Sequence, residues 1–144
     1  MTDLLTAPLS AAQVHEAADR LVAAFAATDT AAYFACFDED ATFVFHPEPA
    51  RLGDRAAYET LWAEWLADGW RVESCVSSDR QVQLLGDVAV FTHDVRTTTS
   101  VPGDLPGDSA RSQETVTERE TIVFRRVGDA LLAVHEHLSP AVTR

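Results

Sequence analysis

The stretch ERETIVFRRVGDALLAVHEHLSP, residues 118–140, has the pattern of a β-hairpin. Two runs rich in strand-forming side chains flank Gly128 and Asp129, a pair that is typical of a tight two-residue turn. With that turn, Val127 pairs with Ala130, and the two strands can be aligned residue by residue. The stretch therefore predicts that the chain ends in two antiparallel strands.

This alignment places Glu120 opposite His137 and Ile122 opposite His135. Cross-strand neighbours on one face of a sheet touch, so a carboxylate would lie beside an imidazole, and each would favour the charged form of the other. A three-residue turn would slip the register and place Arg119 opposite His137 instead. The turn residues favour the first register, and Glu120 is a candidate catalytic residue.

His135 and His137 stand two residues apart, so on a strand both imidazoles point to the same face. Three interpretations stay open: a hydrogen-bonded pair in the sheet, a polar or proton-transferring role in a pocket, and a metal site. A transition metal usually takes at least three protein ligands, and no spacing in the chain demands a third one. We expect no metal and keep both histidines as candidate catalytic residues.

A second hairpin is predicted around Gly86 and Asp87, between two more runs of strand-forming residues. With a two-residue turn, one face of this hairpin is apolar apart from a single histidine, and it carries Val82, Leu84, Ala89, Phe91, His93 and Val95. A face of that composition suits a pocket wall or a core. We expect His93 to point inside as a candidate catalytic residue, and Phe91 to contact a ligand.

Helices are expected before these strands. Ser10–Gln13 fits a capping box, and apolar residues then recur at helical spacing as one stripe. Residues 28–30 break this helix and cap a short second one, which Phe34 and Phe37 anchor. The acidic residues 38–40 end that helix and are most simply a solvated turn.

A strand is expected at residues 41–46, and a third helix from near Asp54 to just before Gly69. One face of that helix is apolar and largely aromatic, with Tyr58, Leu61, Trp62, Trp65 and Leu66. The simplest interpretation of this face is core packing. The alternative is a ring at the mouth of a pocket, which makes Tyr58 and Trp62 candidate ligand contacts.

Helices followed by a run of antiparallel strands give an α+β order. The 144 residues, 47% of them apolar, suit one domain with a single core, which we expect to span residues 1–144. Residues 1–8 are expected to be loosely ordered. A long polar loop is expected at residues 102–109, between two of the later strands.

The chain is acidic, since 11 Lys and Arg residues against 23 Asp and Glu residues give a formal net charge of −12. Such a surface repels phosphate backbones and anionic lipid, so no nucleic-acid or membrane partner is expected. The chain shows no secretory signal, and no apolar run approaches the roughly 20 residues of a membrane span. Cys36 and Cys75 have no metal spacing, so we expect reduced packing thiols in a cytoplasmic protein.

Four stretches resemble the nuclear transport factor 2-like superfamily, which includes SnoaL-like polyketide cyclases and ketosteroid isomerase. They are LVAAFAATDTAAYFACFDEDATFVF (21–45), GDRAAYETLWAEW (53–65), LGDVAVFT (85–92) and the closing hairpin (118–140). The resemblance implies a cone-shaped, curved antiparallel sheet wrapped around a long N-terminal helix, with two shorter helices and an internal pocket.

The closing hairpin also resembles the association domain of calmodulin-dependent kinase II. The residues that match the pattern of that domain are Thr121, Val123, Arg126, His135, His137 and Ser139. Folds of this superfamily commonly pair through their sheets. The resemblance therefore implies a homodimer formed through the sheet.

Resemblance to ketosteroid isomerase implies a base on the first strand, near Phe45 or His46, and a tyrosine on the first helix, near Leu21. This chain has no carboxylate at the first place and no phenol at the second. His46 is a candidate base, because an imidazole titrates near neutrality, and the alternative is a surface histidine before Pro47. Arg119 is a candidate anchor for an anionic or carbonyl ligand, and the alternative is a surface salt bridge.

Two functional hypotheses follow. The first is a cofactor-independent enzyme of the isomerase, cyclase or dehydratase type, which binds an apolar, carbonyl-bearing metabolite in the pocket and moves a proton. The second is a non-enzymatic module for ligand binding or homo-association. The polar groups expected to converge on an apolar cavity favour the first hypothesis.

Overall fold

The computed structural model describes residues 7–103 and 110–142. Its elements are α1 (Ala11–Ala26), α2 (Thr30–Phe34), β1 (Phe37–Phe45), α3 (Arg55–Ala67), β2 (Arg71–Leu85), β3 (Val88–Pro102), β4 (Arg111–Val127) and β5 (Ala130–Pro140). The strands of these residues form one sheet in the order β1-β5-β4-β3-β2, antiparallel except for the parallel pair of β1 and β5. The predicted α+β fold, a curved sheet with one long and two shorter helices, is confirmed.

Helix α1 packs against the sheet, where it contacts β2 and β5. It begins at the predicted capping box, in which the Gln13 backbone N–H donates to the Ser10 side chain and the Ser10 backbone N–H donates to the Gln13 side chain. Val14, Ala18 and Leu21 are buried along one side of the helix. Burial of this apolar stripe determines which side of α1 faces the sheet.

The segment after α1 differs from the prediction. Helix α2 ends at Phe34, and Phe37 is the first residue of β1, from where its ring still anchors the helix by packing against Tyr33. Phe37 is 1% exposed, and its ring lies 5.2 Å from that of Phe43, centroid to centroid. The acidic residues 38–40 therefore belong to a strand and not to a turn. Burial of the aromatic side chains of β1 outweighs the low strand propensity of the acidic residues.

Helix α3 has the predicted position. Asp54 caps its N-terminus by accepting a hydrogen bond of 2.8 Å from the Ala57 backbone N–H, and the helix ends at Ala67. Its buried residues, Tyr58 and Trp62, join an aromatic cluster with rings of α2 and β1. This cluster holds α3 against the edge of the sheet that β1 forms.

The central hairpin of β2 and β3 has the predicted register. Val82 pairs with Phe91 and Leu84 pairs with Ala89. The inner face of β3 is buried, and His93 on that face is 3% exposed. The prediction that His93 points inside is confirmed.

The closing hairpin has the predicted turn, with Val127 paired to Ala130, but it contains a β-bulge. Phe124 pairs with Ala133, and the preceding residue of β4, Val123, pairs with His135. Val134 is therefore an extra residue of β5 without a counterpart on β4. A bulge of this kind bends the strand and displaces the register by one residue.

From the bulge onward, the predicted register is wrong. His137 lies opposite Thr121, Glu136 lies opposite Ile122, and Glu120 lies opposite Leu138. A displacement of one residue exchanges the two faces of a strand. Glu136 therefore points inward, whereas His135 and His137 lie on the other face of β5.

Two predicted features lie partly outside the described residues: the loosely ordered start of the chain, of which residues 1–6 are not described, and the polar loop, of which residues 104–109 are not described. Within the described ranges, no helix is both long enough and apolar enough to cross a membrane.

Candidate active site

A cavity of about 180 Å³ lies between the helices and the inner face of the sheet. Much of its wall is aromatic, formed by Phe25, Tyr33, Phe45, Tyr58, Trp65 and Trp70. An apolar cavity of about 150 Å³ holds a benzene molecule. The cavity is therefore large enough for an apolar small molecule built on one ring.

One side of the cavity is acidic. Glu118 and Glu120 come from β4, Glu136 comes from β5, and Glu48 comes from the loop after β1. Glu118 and Glu120 stand two residues apart and share a face of the strand, and the bulge at Val134 brings Glu136 to the same face. None of the described residues that line the cavity is Lys, Arg or His.

Glu136 is the most buried of these carboxyl groups. Its side chain is inside the protein, the residue being 2% exposed, and no group of the described residues donates a hydrogen bond to Oε2. Burial raises the pKa of Glu136 well above its usual range, and the negative charge of Glu120 and a hydrogen bond to Glu120 raise it further. Burial thus favours the protonated form of Glu136, in which the carboxyl group is a hydrogen-bond donor.

Glu120 is held from the opposite side by a chain of hydrogen bonds. Its Oε1 lies 2.7 Å from His93 Nε2, and His93 Nδ1 lies 2.6 Å from Ser77 Oγ. Arg80 Nε donates to the same Ser77 oxygen at 2.8 Å. Because the Glu120 carboxylate only accepts, we assign the ring proton of His93 to Nε2, and the Ser77 hydroxyl can then donate to Nδ1 while its oxygen accepts from Arg80.

The chain of hydrogen bonds continues to the surface. Arg80 Nη1 lies 2.7 Å from Oδ1 of Asp19 on α1, whose side chain is 66% exposed. The Arg80 guanidinium also lies 5.4 Å from the centre of the Phe91 ring. These contacts fix Arg80, and through Ser77 they fix the orientation of His93 toward the cavity.

Two tyrosines face the acidic groups across the cavity. The hydroxyl oxygens of Tyr33 and Tyr58 lie 2.9 Å apart, and both residues line the cavity. Burial raises the pKa of both phenols well above the usual range. Both hydroxyls thus keep their protons, and since one proton makes the bond between them, the other is left to donate to a ligand.

The remaining predicted catalytic residues lie outside this cavity wall. His46 is exposed just after β1, and its Nε2 contacts the carboxylate of Glu118, which does line the cavity. Arg119 is exposed on the opposite face of β4 from Glu118 and Glu120. His46 is thus brought to the edge of the site, whereas Arg119 is not brought to it.

His135 and His137 form part of the outer side of the sheet. Nδ1 of His135 lies 2.8 Å from Oγ1 of Thr42 on the neighbouring strand β1, and the two imidazole rings are 6.3 Å apart. Burial lowers the pKa of His135, and the neighbouring His137 lowers it further. His135 and His137 thus belong to the sheet outside the cavity wall, where His135 is hydrogen-bonded to Thr42.

The predicted ligand contacts are divided between the cavity and the core. Tyr58 lines the cavity. Trp62 and Phe91 are fully buried in the core, where Trp62 Nε1 donates to Thr30 Oγ1 at 2.9 Å. These two side chains support the cavity wall from behind.

Sequence reasoning missed several cavity residues. Glu118 and Glu136 line the cavity but are not among the predicted site residues, although the spacing of Glu118 to Glu120 indicates a shared face of β4. The sequence contained no comparable signal for Glu136, because its face depends on the bulge. Cys75, expected to be a packing thiol, also lines the cavity, and burial raises its pKa to about 11.

Comparison with known proteins agrees with this fold. The chain matches the model of the SnoaL-like domain over residues 14–143. Among curated protein sequences, none matches the chain significantly.

Solved structures similar to this chain have the nuclear transport factor 2-like fold. A candidate dehydratase of that family from Streptomyces avermitilis is 20% identical, with a TM-score of 0.75, covering 92% of this chain and 97% of its own. A candidate calcium/calmodulin-dependent protein kinase II association domain from Xanthomonas campestris is 19% identical, with a TM-score of 0.69 and coverages of 97% and 98%. The calcium/calmodulin-dependent kinase II hub of S. rosetta is 22% identical, with a TM-score of 0.68 and coverages of 94% and 100%.

The structures share the fold with this chain at identities too low to transfer an activity. The family match covers most of the chain, from the first helix to the end of the closing hairpin. The predicted resemblance is confirmed, and the chain belongs to the SnoaL-like domain family.

Proposed function

We propose that this protein is a cofactor-independent enzyme that transfers a proton on an apolar, carbonyl-bearing small molecule bound in the cavity. The observation that carries the proposal is the pair of adjacent carboxyl groups with different roles. Burial raises the pKa of Glu136 and so favours its protonated form, whereas Glu120 accepts a hydrogen bond from His93. Neighbouring acids whose environments separate their protonation states are typical of acid–base catalysis.

In the proposed reaction, Glu120 removes a proton from the carbon next to the carbonyl group of the substrate. The electron pair of that C–H bond moves toward the carbonyl oxygen, which gains negative charge. Glu136 and the tyrosine hydroxyl that is not used between Tyr33 and Tyr58 donate hydrogen bonds to this oxygen. In a substrate with a β,γ double bond, return of the proton to the γ-carbon gives isomerisation. In a substrate with a hydroxyl group on the β-carbon, delivery of the proton to that group releases water and leaves an α,β double bond, which is dehydration.

The aromatic wall supports the same reaction by excluding water from the bound substrate. Electrostatic interactions between the carboxyl groups and the developing charge are stronger in such a site than in water. His93, Ser77 and Arg80 hold Glu120 in place from behind, so the base does not have to be ordered when the substrate binds.

Hydrogen–deuterium exchange tests the proposed chemistry without knowledge of the natural substrate. Phenylacetone, a neutral ketone with one ring, is incubated in deuterated buffer, and loss of the signal of the protons next to the carbonyl is followed by NMR. We expect the protein to accelerate this exchange at least a hundredfold over buffer, the lower end for general acid–base catalysis. Exchange at the rate of buffer alone, for ketones that bind the protein, would contradict the proposal.

We also infer that the chain forms a homodimer through its sheet. Homo-association was part of the second functional hypothesis, and it is compatible with an enzyme as well. Similar structures include association domains and a kinase hub. On the face of β2 that points away from the cavity, Val76 is 58% exposed, so a substitution at this residue tests whether that face forms the interface.

Light scattering during gel filtration measures the state of association. We expect twice the mass of the chain for the wild-type protein and the mass of one chain for Val76→Lys, because a charge buried in the interface is costly. Val142→Lys, which changes a valine that is 69% exposed near the end of the chain, is expected to stay dimeric. A wild-type monomer in dilute solution would contradict the inference.

A further inference from the structure

We propose that the cavity is selective for an apolar molecule that carries a basic nitrogen and binds as an ammonium cation. The inference deepens the proposed function, on which it rests for the assignment of the cavity as the substrate site. A positively charged ligand is required neither by the fold nor by the proposed proton transfer.

The charges around the cavity favour a cation. Glu48, Glu118, Glu120 and Glu136 all line it, and no described lining residue is basic. The histidines that contact two of these carboxyl groups do not themselves line the cavity: His93 is fully buried behind Glu120, and His46 lies outside the wall beside Glu118. A ligand carboxylate would be repelled by these groups, whereas an ammonium group would be attracted to them.

Glu136 provides a second and independent observation. Its Oε2 is buried in the cavity wall and receives no hydrogen bond from the described residues. A buried acceptor without a donor is costly, and a charge-assisted N–H donor is a strong partner for a carboxylate oxygen. An ammonium group bound beside Glu136 would supply that donor.

The aromatic wall suits the same ligand. The rings of Trp65 and Trp70 lie 5.2 Å apart at an angle of 53°, and the ring of Tyr58 lies 6.2 Å from Trp65. Aromatic faces attract cations, and tryptophan does so most strongly. The wall thus binds the apolar body of the ligand and stabilises its positive charge as well.

The test uses three ligands that share one ring and differ in charge: 2-phenylethylamine, 2-phenylethanol and phenylacetate. Calorimetric titration of the full chain near neutral pH is expected to give an affinity for the amine at least tenfold above that for the alcohol, and the weakest affinity for the acid. Glu48→Gln is expected to weaken amine binding about threefold and to leave alcohol binding unchanged, while Glu114→Gln, on the exposed part of β4, changes neither.

Equal or tighter binding of the alcohol or the acid overturns the inference, and so does absence of amine binding at millimolar concentration. The binding test is independent of turnover. Amine preference without catalysed exchange of ketone protons would uphold the charge class and overturn the proposed function. Catalysed exchange without a preference for the amine would uphold the proposed function and overturn the charge class.

Discussion

Replacement of Glu136 by glutamine is expected to stabilise the fold at neutral pH. The pKa of Glu136 is raised in the folded state, mainly by burial, above the value of about 4.3 expected for an unfolded chain. Between these two values the folded chain holds one proton more than the unfolded chain, so the free energy of unfolding falls as the pH rises. Over this pH range the free energy of unfolding falls by about 1.4 kcal/mol per pH unit, and it stops falling above the raised pKa of Glu136.

Glutamine removes this slope because it is neutral at every pH, has nearly the same shape and can still donate a hydrogen bond to Glu120. Urea unfolding at several values from about pH 4 to about pH 8 measures the effect. The wild-type and Glu136→Gln proteins are expected to be similar in stability at the acidic end and to diverge as the pH rises, with the variant more stable. The control Glu114→Gln is expected to keep a constant difference in unfolding free energy from the wild type at every pH. The same constant difference for Glu136→Gln would show that Glu136 has the same pKa in the folded and unfolded chains, which would contradict the prediction.

Replacement of Glu120 by glutamine is expected to have the largest effect on the reaction. An amide oxygen can still accept the hydrogen bond of 2.7 Å from His93 Nε2, so the hydrogen-bonded chain through Ser77 and Arg80 is kept. An amide does not take up a proton from carbon. We expect the rate of ketone proton exchange to fall by about a hundredfold to ten-thousandfold, the range for general acid–base catalysis.

The same exchange measurement with Glu114→Gln controls for the loss of a negative charge, because Glu114 lies on the same strand but is exposed outside the cavity. That variant is expected to keep the wild-type rate. Unfolding curves of Glu120→Gln identify any loss of folded protein separately. Retention of the wild-type rate by folded Glu120→Gln would exclude Glu120 as the base.

The elements that could be predicted from the sequence depend on local chemistry. The capping box at Ser10, the aspartate cap of α3 and the turns at Gly86 and Gly128 are all determined by residues within a few positions of one another. The inner face of the central hairpin followed from simple alternation, which correctly put His93 inside. These elements, together with the family resemblance, were sufficient for the fold.

The acidic pair of the site could not be predicted, because it depends on one unpaired residue. Alternation through the closing hairpin puts His135 and His137 on the face of Glu120, and the bulge at Val134 replaces them with Glu136. The bulge arises where β5 pairs with β4 on one side and with β1 on the other, so no local pattern marks it. Similarly, residues 38–40 join β1 because of the long-range burial of Phe37.

The proposed site depends most on the protonation state of the Glu136 carboxyl group, and NMR of the carboxyl carbon measures that state directly. In protein labelled with ¹³C at the glutamate δ-carbon, the signal that is missing from Glu136→Gln is assigned to Glu136 and followed as the pH is raised. We predict that this signal keeps the chemical shift of a protonated acid at neutral pH, as the burial of the side chain beside Glu120 requires. A signal that titrates near the ordinary value of about 4.3 would contradict the account.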